Sequence, residues 1–163
     1  MSRSLPGTIN KWFICMAGFT LIEILIALTI MGIVLMIVVP VFNSVLSTLM
    51  LNSAANQLAA DIRLQQQRAI SGDTDAVTYY ILFDPEQEIY YLSAGVNTLK
   101  TVTLPAGVDL LGTNFSNNRL AFNLKGIPLP GGHVTLQQSR SRNRYVIISS
   151  VIGRVRVDTV PPS

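Results

Sequence analysis

Residues 18–42 read GFTLIEILIALTIMGIVLMIVVPVF, an apolar run interrupted by one carboxylate, Glu23. From Ile24 to Ala60 the chain has no Asp, Glu, Lys or Arg. A helix over residues 19–42 is about 36 Å long at about 1.5 Å per residue, enough to cross a hydrocarbon layer of about 30 Å. The run therefore predicts a transmembrane span. Arg3 and Lys11 precede it with no acid, and no charge follows it before Asp61. By the positive-inside bias the amino end lies in the cytoplasm and everything after Phe42 lies outside. A cleaved secretory signal is the competing reading, but its apolar core is only about 7–15 residues and ends in a small-residue cleavage site, which does not follow here. An ionised acid at the bilayer centre costs about 2.5–3.5 kcal/mol. Glu23 therefore needs either a shallow place at the interface or a cationic partner.

The rest of the composition narrows the chemistry. Of 163 residues 49% are apolar and only 13% charged, the latter about half the share of an ordinary soluble domain. One Cys (Cys15) and one His (His133) allow no internal disulfide and no Cys/His metal cluster. Phosphate-loop, dinucleotide and nucleophile-elbow motifs are all missing from the sequence. No enzymatic activity and no cofactor are expected. Acidic turns at Asp73/Asp75 and Asp84/Glu86/Glu88 read as solvated loops rather than calcium sites.

Beyond the span Pro40 is expected to kink the helix, since it removes one backbone donor and crowds the preceding turn. Val45, Leu46, Leu49, Ala55, Leu58, Ala59, Ile62 and Ala69 then follow spacings of three and four, with Asn52, Asn56, Asp61, Arg63 and Gln65 between them. This predicts an amphipathic continuation that stops at Gly72. After Gly72 the period falls to two. Strands are predicted at residues 77–83, 88–92, 100–104, 120–123, 133–138, 145–149 and 154–157, with a hairpin turn at Asp84-Pro85-Glu86-Gln87 and a polar tip over residues 139–143. The fold class is α+β: a long N-terminal helix packed on an antiparallel sheet. His133 reads as a strand-edge residue, and Tyr79, Tyr80, Tyr90 and Tyr91 as half core and half surface.

The order Gly18-Phe19-Thr20-Leu21-Ile22-Glu23 followed by an apolar helix resembles the class III signal of type IV prepilins and type II secretion pseudopilins. The tail, Phe122-Asn123-Leu124-Lys125-Gly126 through Gly153-Arg154-Val155-Arg156, is similar to the minor pseudopilin H (GspH) and FimT subgroup. The resemblance implies that a prepilin peptidase cuts after Gly18 and methylates the new α-amine of Phe19, removing Cys15 with the leader. It further implies that Glu23 pairs with that amine on a neighbouring subunit during assembly, the partner that desolvation demands. The implied organisation is a leader (1–18), a transmembrane and assembly helix (19–42), its amphipathic half (43–72) and a β-rich extracytoplasmic domain (73–163), the "lollipop" of pilins. Such a protein is stored in the inner membrane. Its implied partners are other pilin or pseudopilin subunits, the peptidase, membrane lipid and the inner-membrane assembly platform.

Charge is unevenly divided. Residues 19–118 carry three bases and eight acids, net −5, whereas residues 119–163 carry seven bases and one acid, net +6. Arg154 and Arg156 are two apart in a strand and so share a face. Arg140, Arg142 and Arg144 alternate in the polar tip and offer planar donor forks suited to phosphate. The Gly-Arg-x-Arg pattern resembles the motif by which FimT-like minor pilins bind DNA for natural transformation. Solvation, or pairing with Asp84, Glu86 or Glu88 of the next subunit, is the other reading of the same arginines. The sequence thus points to a structural subunit of a secretion pseudopilus or type IV pilus, with a DNA-binding minor pilin as the alternative.

Overall fold

The computed structural model describes residues 19–72, 77–138 and 142–162. Gly18 with the leader, Asp73 and Asp75, and Arg140 lie outside the described residues. One helix, α1 (Leu21–Ser71), contains Pro40, and the chain divides at that residue into two units, Met1–Pro40 and Val41–Ser163.

In the first unit every described residue is exposed, and an 18-residue window of the helix reaches a mean hydropathy of 3.0. Apolar side chains bare to water over that length are unfavourable at about 25 cal/mol per Å². Lipid or other helices must cover them.

The second unit builds two antiparallel sheets rather than one. The strands are β1 (Tyr79–Asp84), β2 (Ile89–Ala94), β3 (Asn97–Thr103), β4 (Val108–Thr113), β5 (Arg119–Phe122), β6 (Pro128–Leu129), β7 (Gly132–Gln138), β8 (Arg142–Ile148) and β9 (Val155–Asp158). A five-stranded sheet has the order β3-β2-β1-β5-β6 and a four-stranded sheet the order β4-β7-β8-β9. Leu51, Ala55, Leu58 and Ile62 of α1 share one core with Ile81, Leu92 and Leu120 of the first sheet and Val134, Leu136, Val146 and Ile148 of the second. Four alanines on the buried stripe (Ala54, Ala55, Ala59, Ala69) keep that stripe narrow, so the helix backbone can approach the strands closely.

Three expectations about the helix change. Val45, Leu46 and Leu49 are exposed, and burial starts only at Leu51. Asp61 (5% exposed) and Gln65 (0%) are buried although the helical period puts them on the polar side. Each has a partner that offsets its desolvation. Gln65 donates from Nε2 to the carbonyls of Tyr80 and Ser93, each at 3.0 Å, and its Oε1 accepts from Arg68 at 3.2 Å. Asp61 accepts the Tyr90 hydroxyl at 2.8 Å and the Lys100 ammonium at 2.7 and 3.0 Å.

The predicted β1–β2 turn is present, closed by Asp84 Oδ1 accepting the amides of Glu86 and Gln87 at 3.1 and 3.2 Å. Glu88 does not begin the strand. It takes the left-handed conformation (φ 56) and its carboxylate accepts the Leu110 amide, which ties the turn to β4. His133 lies in β7, an inner strand flanked by β4 and β8. Tyr90 is fully buried, while Tyr79, Tyr80 and Tyr91 are half-buried.

Two glycines meet against the helix. Gly126 (φ +70) and Gly153 (φ +66) both direct their carbonyls to Gln66 Nε2, at 3.1 and 2.7 Å. A Cβ on Gly153 would stand 2.6 Å from that nitrogen and 2.8 Å from the Gly126 carbonyl oxygen, so both the backbone angle and the space require glycine.

Candidate functional site

In the first unit the site is the start of α1. Thr20 caps the helix: its hydroxyl oxygen and its carbonyl both accept the Glu23 amide, at 3.3 and 3.1 Å. Thr20-Leu21-Ile22-Glu23 has the T-x-x-E spacing of a capping box, a signal that the sequence carries and that hydropathy alone overlooks. Glu23 therefore stands in the first helical turn, where the exposed amides and the helix dipole favour a negative charge. Among the described residues no donor reaches its carboxylate. Phe19, Glu23, Ile24, Ala27, Leu28 and Met31 line one open groove of about 410 Å³. A charged acid that shares a groove with five apolar side chains can hold an ammonium group brought to it there, and the attraction gains strength once water is displaced.

In the second unit the arginines separate into two groups. The strand β8 begins at Arg142, so Arg142 and Arg144 belong to the sheet rather than to a loop tip. Arg142 Nη1 donates to the Ser44 carbonyl at 3.0 Å and to Thr48 Oγ1 at 2.6 Å, and its Nη2 donates to Ser44 Oγ at 2.9 Å. Arg144 Nε donates to Asn52 Oδ1 at 2.7 Å. Ser44, Thr48 and Asn52 are four apart and form one polar row on α1, to which both arginines are tied.

Arg154 and Arg156 are exposed, and among the described residues neither is tied to α1. With Ile147, Ser149, Ile152 and Pro162 they line an open depression of about 410 Å³. They are held outward from below: Arg63 Nη2 donates to the carbonyl of the intervening Val155 at 3.0 Å, and Val155 itself is buried. Asp158, at the end of β9, has a carboxyl held below the usual range by the Thr159 and Val160 amides, with a smaller contribution from Arg156. Of the acids considered as partners across subunits, Glu88 is engaged within the chain, and Asp84 closes its own turn. Among the described residues no group of three or more His, Cys, Asp or Glu gathers as metal ligands would.

The model of the family described as type II transport protein GspH matches residues 54–151, from the docked half of α1 to the turn before β9. The chain belongs to the GspH family. Its start, residues 15–39, also matches the prokaryotic N-terminal methylation motif. A curated relative of this GspH-family chain is the competence protein ComGD of Bacillus subtilis (strain 168), 32% identical over 142 residues that cover 86% of this chain and 92% of the relative. Two solved structures share the fold. The type IV minor pilin FimU of Pseudomonas aeruginosa has a TM-score of 0.52 and 16% identity, covering 66% of this chain and 92% of that one. The minor pseudopilin EpsH of Vibrio cholerae has a TM-score of 0.51 and 14% identity, covering 67% and 96%. Family and fold together make this GspH-family chain a structural subunit of the minor pilin and pseudopilin class. Its apolar first helix is the membrane anchor of that class.

Proposed function

We propose that this subunit is stored in the inner membrane with its amino end in the cytoplasm and its β domain outside, is cut between Gly18 and Phe19 and methylated at Phe19, and is then drawn by the assembly platform into a filament. Glu23 of the incoming subunit receives the Phe19 amine of a neighbour, which fixes axial register, and Pro40 supplies a bend between lipid-stored and docked helix. The observation that carries this reading is the start of α1, where one exposed carboxylate is set in an apolar groove that also contains Phe19. An uncompensated charge is costly in lipid, so transfer to a site with an opposite charge is downhill once a partner's amine is available. When the chain is expressed with the other subunits and the assembly machinery, it is expected in the sheared filament fraction as well as in membranes. Recovery from membranes alone contradicts the reading.

Arg154 and Arg156 favour a second function on the same scaffold, contact with DNA in competence. They are exposed, close in the chain and free of the helix clamp that holds Arg142 and Arg144, and the relative ComGD is named as a competence protein. Two arginines meeting two phosphates give a salt dependence of log K with slope about −1.8, at about −0.9 per phosphate. The measurement is binding of duplex DNA to the full chain in detergent across a salt series. Arg154→Gln with Arg156→Gln is expected to flatten the slope, and an unchanged slope in that variant removes this function.

A further inference from the structure

The proposal made here rests on the membrane-anchored reading and adds a ligand to it. Ser44 follows Phe42, the last residue of the predicted span, by two positions. Whatever the bend at Pro40, consecutive Cα atoms about 3.8 Å apart keep Ser44 within about 8 Å of the end of the span. Arg142 is fastened at that level, to Ser44 and Thr48. It brings a cation to a helix that has no charged residue of its own between Ile24 and Ala60.

Nη1 makes two of the three bonds and Nη2 one. Nε–H finds no acceptor among the described residues, and with Nη2, which has two hydrogens and one bond, it forms the side edge of the guanidinium. That edge is the pair that grips phosphate in a bidentate manner. Val41, Phe42, Val45 and Leu49 in the same unit are each more than half exposed, so apolar surface continues from the span up to the level of the arginine. A cationic fork above an apolar collar matches the boundary between acyl chains and anionic headgroups.

We propose that Arg142 binds the headgroup phosphate of an anionic phospholipid while the subunit is stored in the bilayer, with Val41, Phe42 and Val45 against the adjoining acyl chains and Leu49 at the level of the headgroups. The serine and threonine on α1 aim the fork, and the lipid completes it. The apolar face beyond the span, uncovered in the isolated subunit, is then covered by lipid before assembly.

The test uses the full chain carrying Cys15→Ser, with a fluorophore on Leu49→Cys, in bilayers containing phosphatidylglycerol or phosphatidylcholine spin-labelled near the headgroup. Phosphatidylglycerol is expected to quench about fivefold more effectively, the preference that one arginine at an anionic surface supplies. Arg142→Gln is expected to abolish the preference and Arg142→Lys to retain only part of it. Arg144→Gln, which loses the bond to Asn52 and the local bond to the Asn143 carbonyl but leaves Ser44 and Thr48 untouched, serves as the control for weakened docking of β8 and is expected to keep it. Free inorganic phosphate is expected to leave the preference intact, which separates a lipid headgroup from a soluble ion. Equal quenching by the two lipids, or an undiminished preference in Arg142→Gln, overturns the proposal. A second reporter at Val34→Cys, read with lipid spin-labelled deep in the acyl chain, distinguishes the failures: quenching there without quenching at Leu49 means that protein covers the face. Quenching at neither place means that the chain is not anchored at all.

Discussion

Glu23→Ala is expected to insert into membranes at the normal level and to be missing from sheared filaments. Removing the carboxylate makes insertion easier, since the acid is the one residue of the apolar run that lipid penalises, by about 2.5–3.5 kcal/mol at the bilayer centre. Incorporation is lost because a neighbour's ammonium would then be buried without a counter-charge, which costs about 3–5 kcal/mol and so reduces incorporation by at least a hundredfold. Glu23 also lies in the helix cap formed by Thr20, so a capping role must be separated from a pairing role. Glu23→Gln does this. Glutamine serves equally well at the third position of a capping box but carries no charge. If capping were its main contribution, Glu23→Gln would assemble normally; if ion pairing is, the glutamine variant fails like the alanine one. The filament fraction, quantified against the membrane fraction for the three chains, reads the difference.

The second large effect is on stability and lies in the other unit. Asp61→Ala is expected to destabilise the second unit by about 3 kcal/mol, because it leaves the buried Tyr90 hydroxyl without an acceptor and Lys100 without its counter-charge. Lys100 is 42% exposed, so water recovers part of its loss and the Tyr90 hydroxyl carries more of the penalty. Asp61→Asn keeps an acceptor for Tyr90 and is expected to cost about 1 kcal/mol. Denaturant unfolding of the full chain in detergent, followed by tyrosine fluorescence, measures both; equal values for alanine and asparagine contradict this division. The same network has a pH signature. Burial first, then the hydrogen bond to Asp61 and its charge, hold the Tyr90 phenol protonated well above the ordinary tyrosine range. A group whose pKa is raised on folding contributes stability below its unfolded value. Stability is therefore intact below pH of about 10 and falls as pH rises past it, less steeply in Tyr90→Phe.

How far the sequence reveals this protein depends on how local each signal is. The start of α1 is legible because its capping residue and its carboxylate, Thr20 and Glu23, are three residues apart at the head of an unbroken apolar run. The hairpin at Asp84 is legible for the same reason: its closing bonds run from Asp84 to residues two and three further on. A helical period puts Asp61 on the wrong face because it ranks residues by polarity, and the groups that make its burial tolerable are 29 and 39 residues away. For Val45 and Leu49 the period errs in the converse way: they are apolar, but both are exposed, and burial on the helix starts at Leu51. Strand β4 (Val108–Thr113) is hard to read because Asp109 and Gly112 break the alternation, and Gly112 marks the register shift opposite β7. Two sheets could not be told from one, since strand partners such as β1 and β5 are not neighbours in the chain. The arginine candidates were legible as residues but not as a site. What divides them is contact with Ser44, Thr48 and Asn52, more than 90 residues earlier, against an outward face fixed by Arg63.

The intact mass of the chain recovered from filaments is the most direct check on all of this. The expected polypeptide begins at Phe19 with one methyl on its α-amine, so that the cation meeting Glu23 exists only after processing. A filament-borne chain that still begins at Met1 would leave Glu23 without that partner and contradict the account.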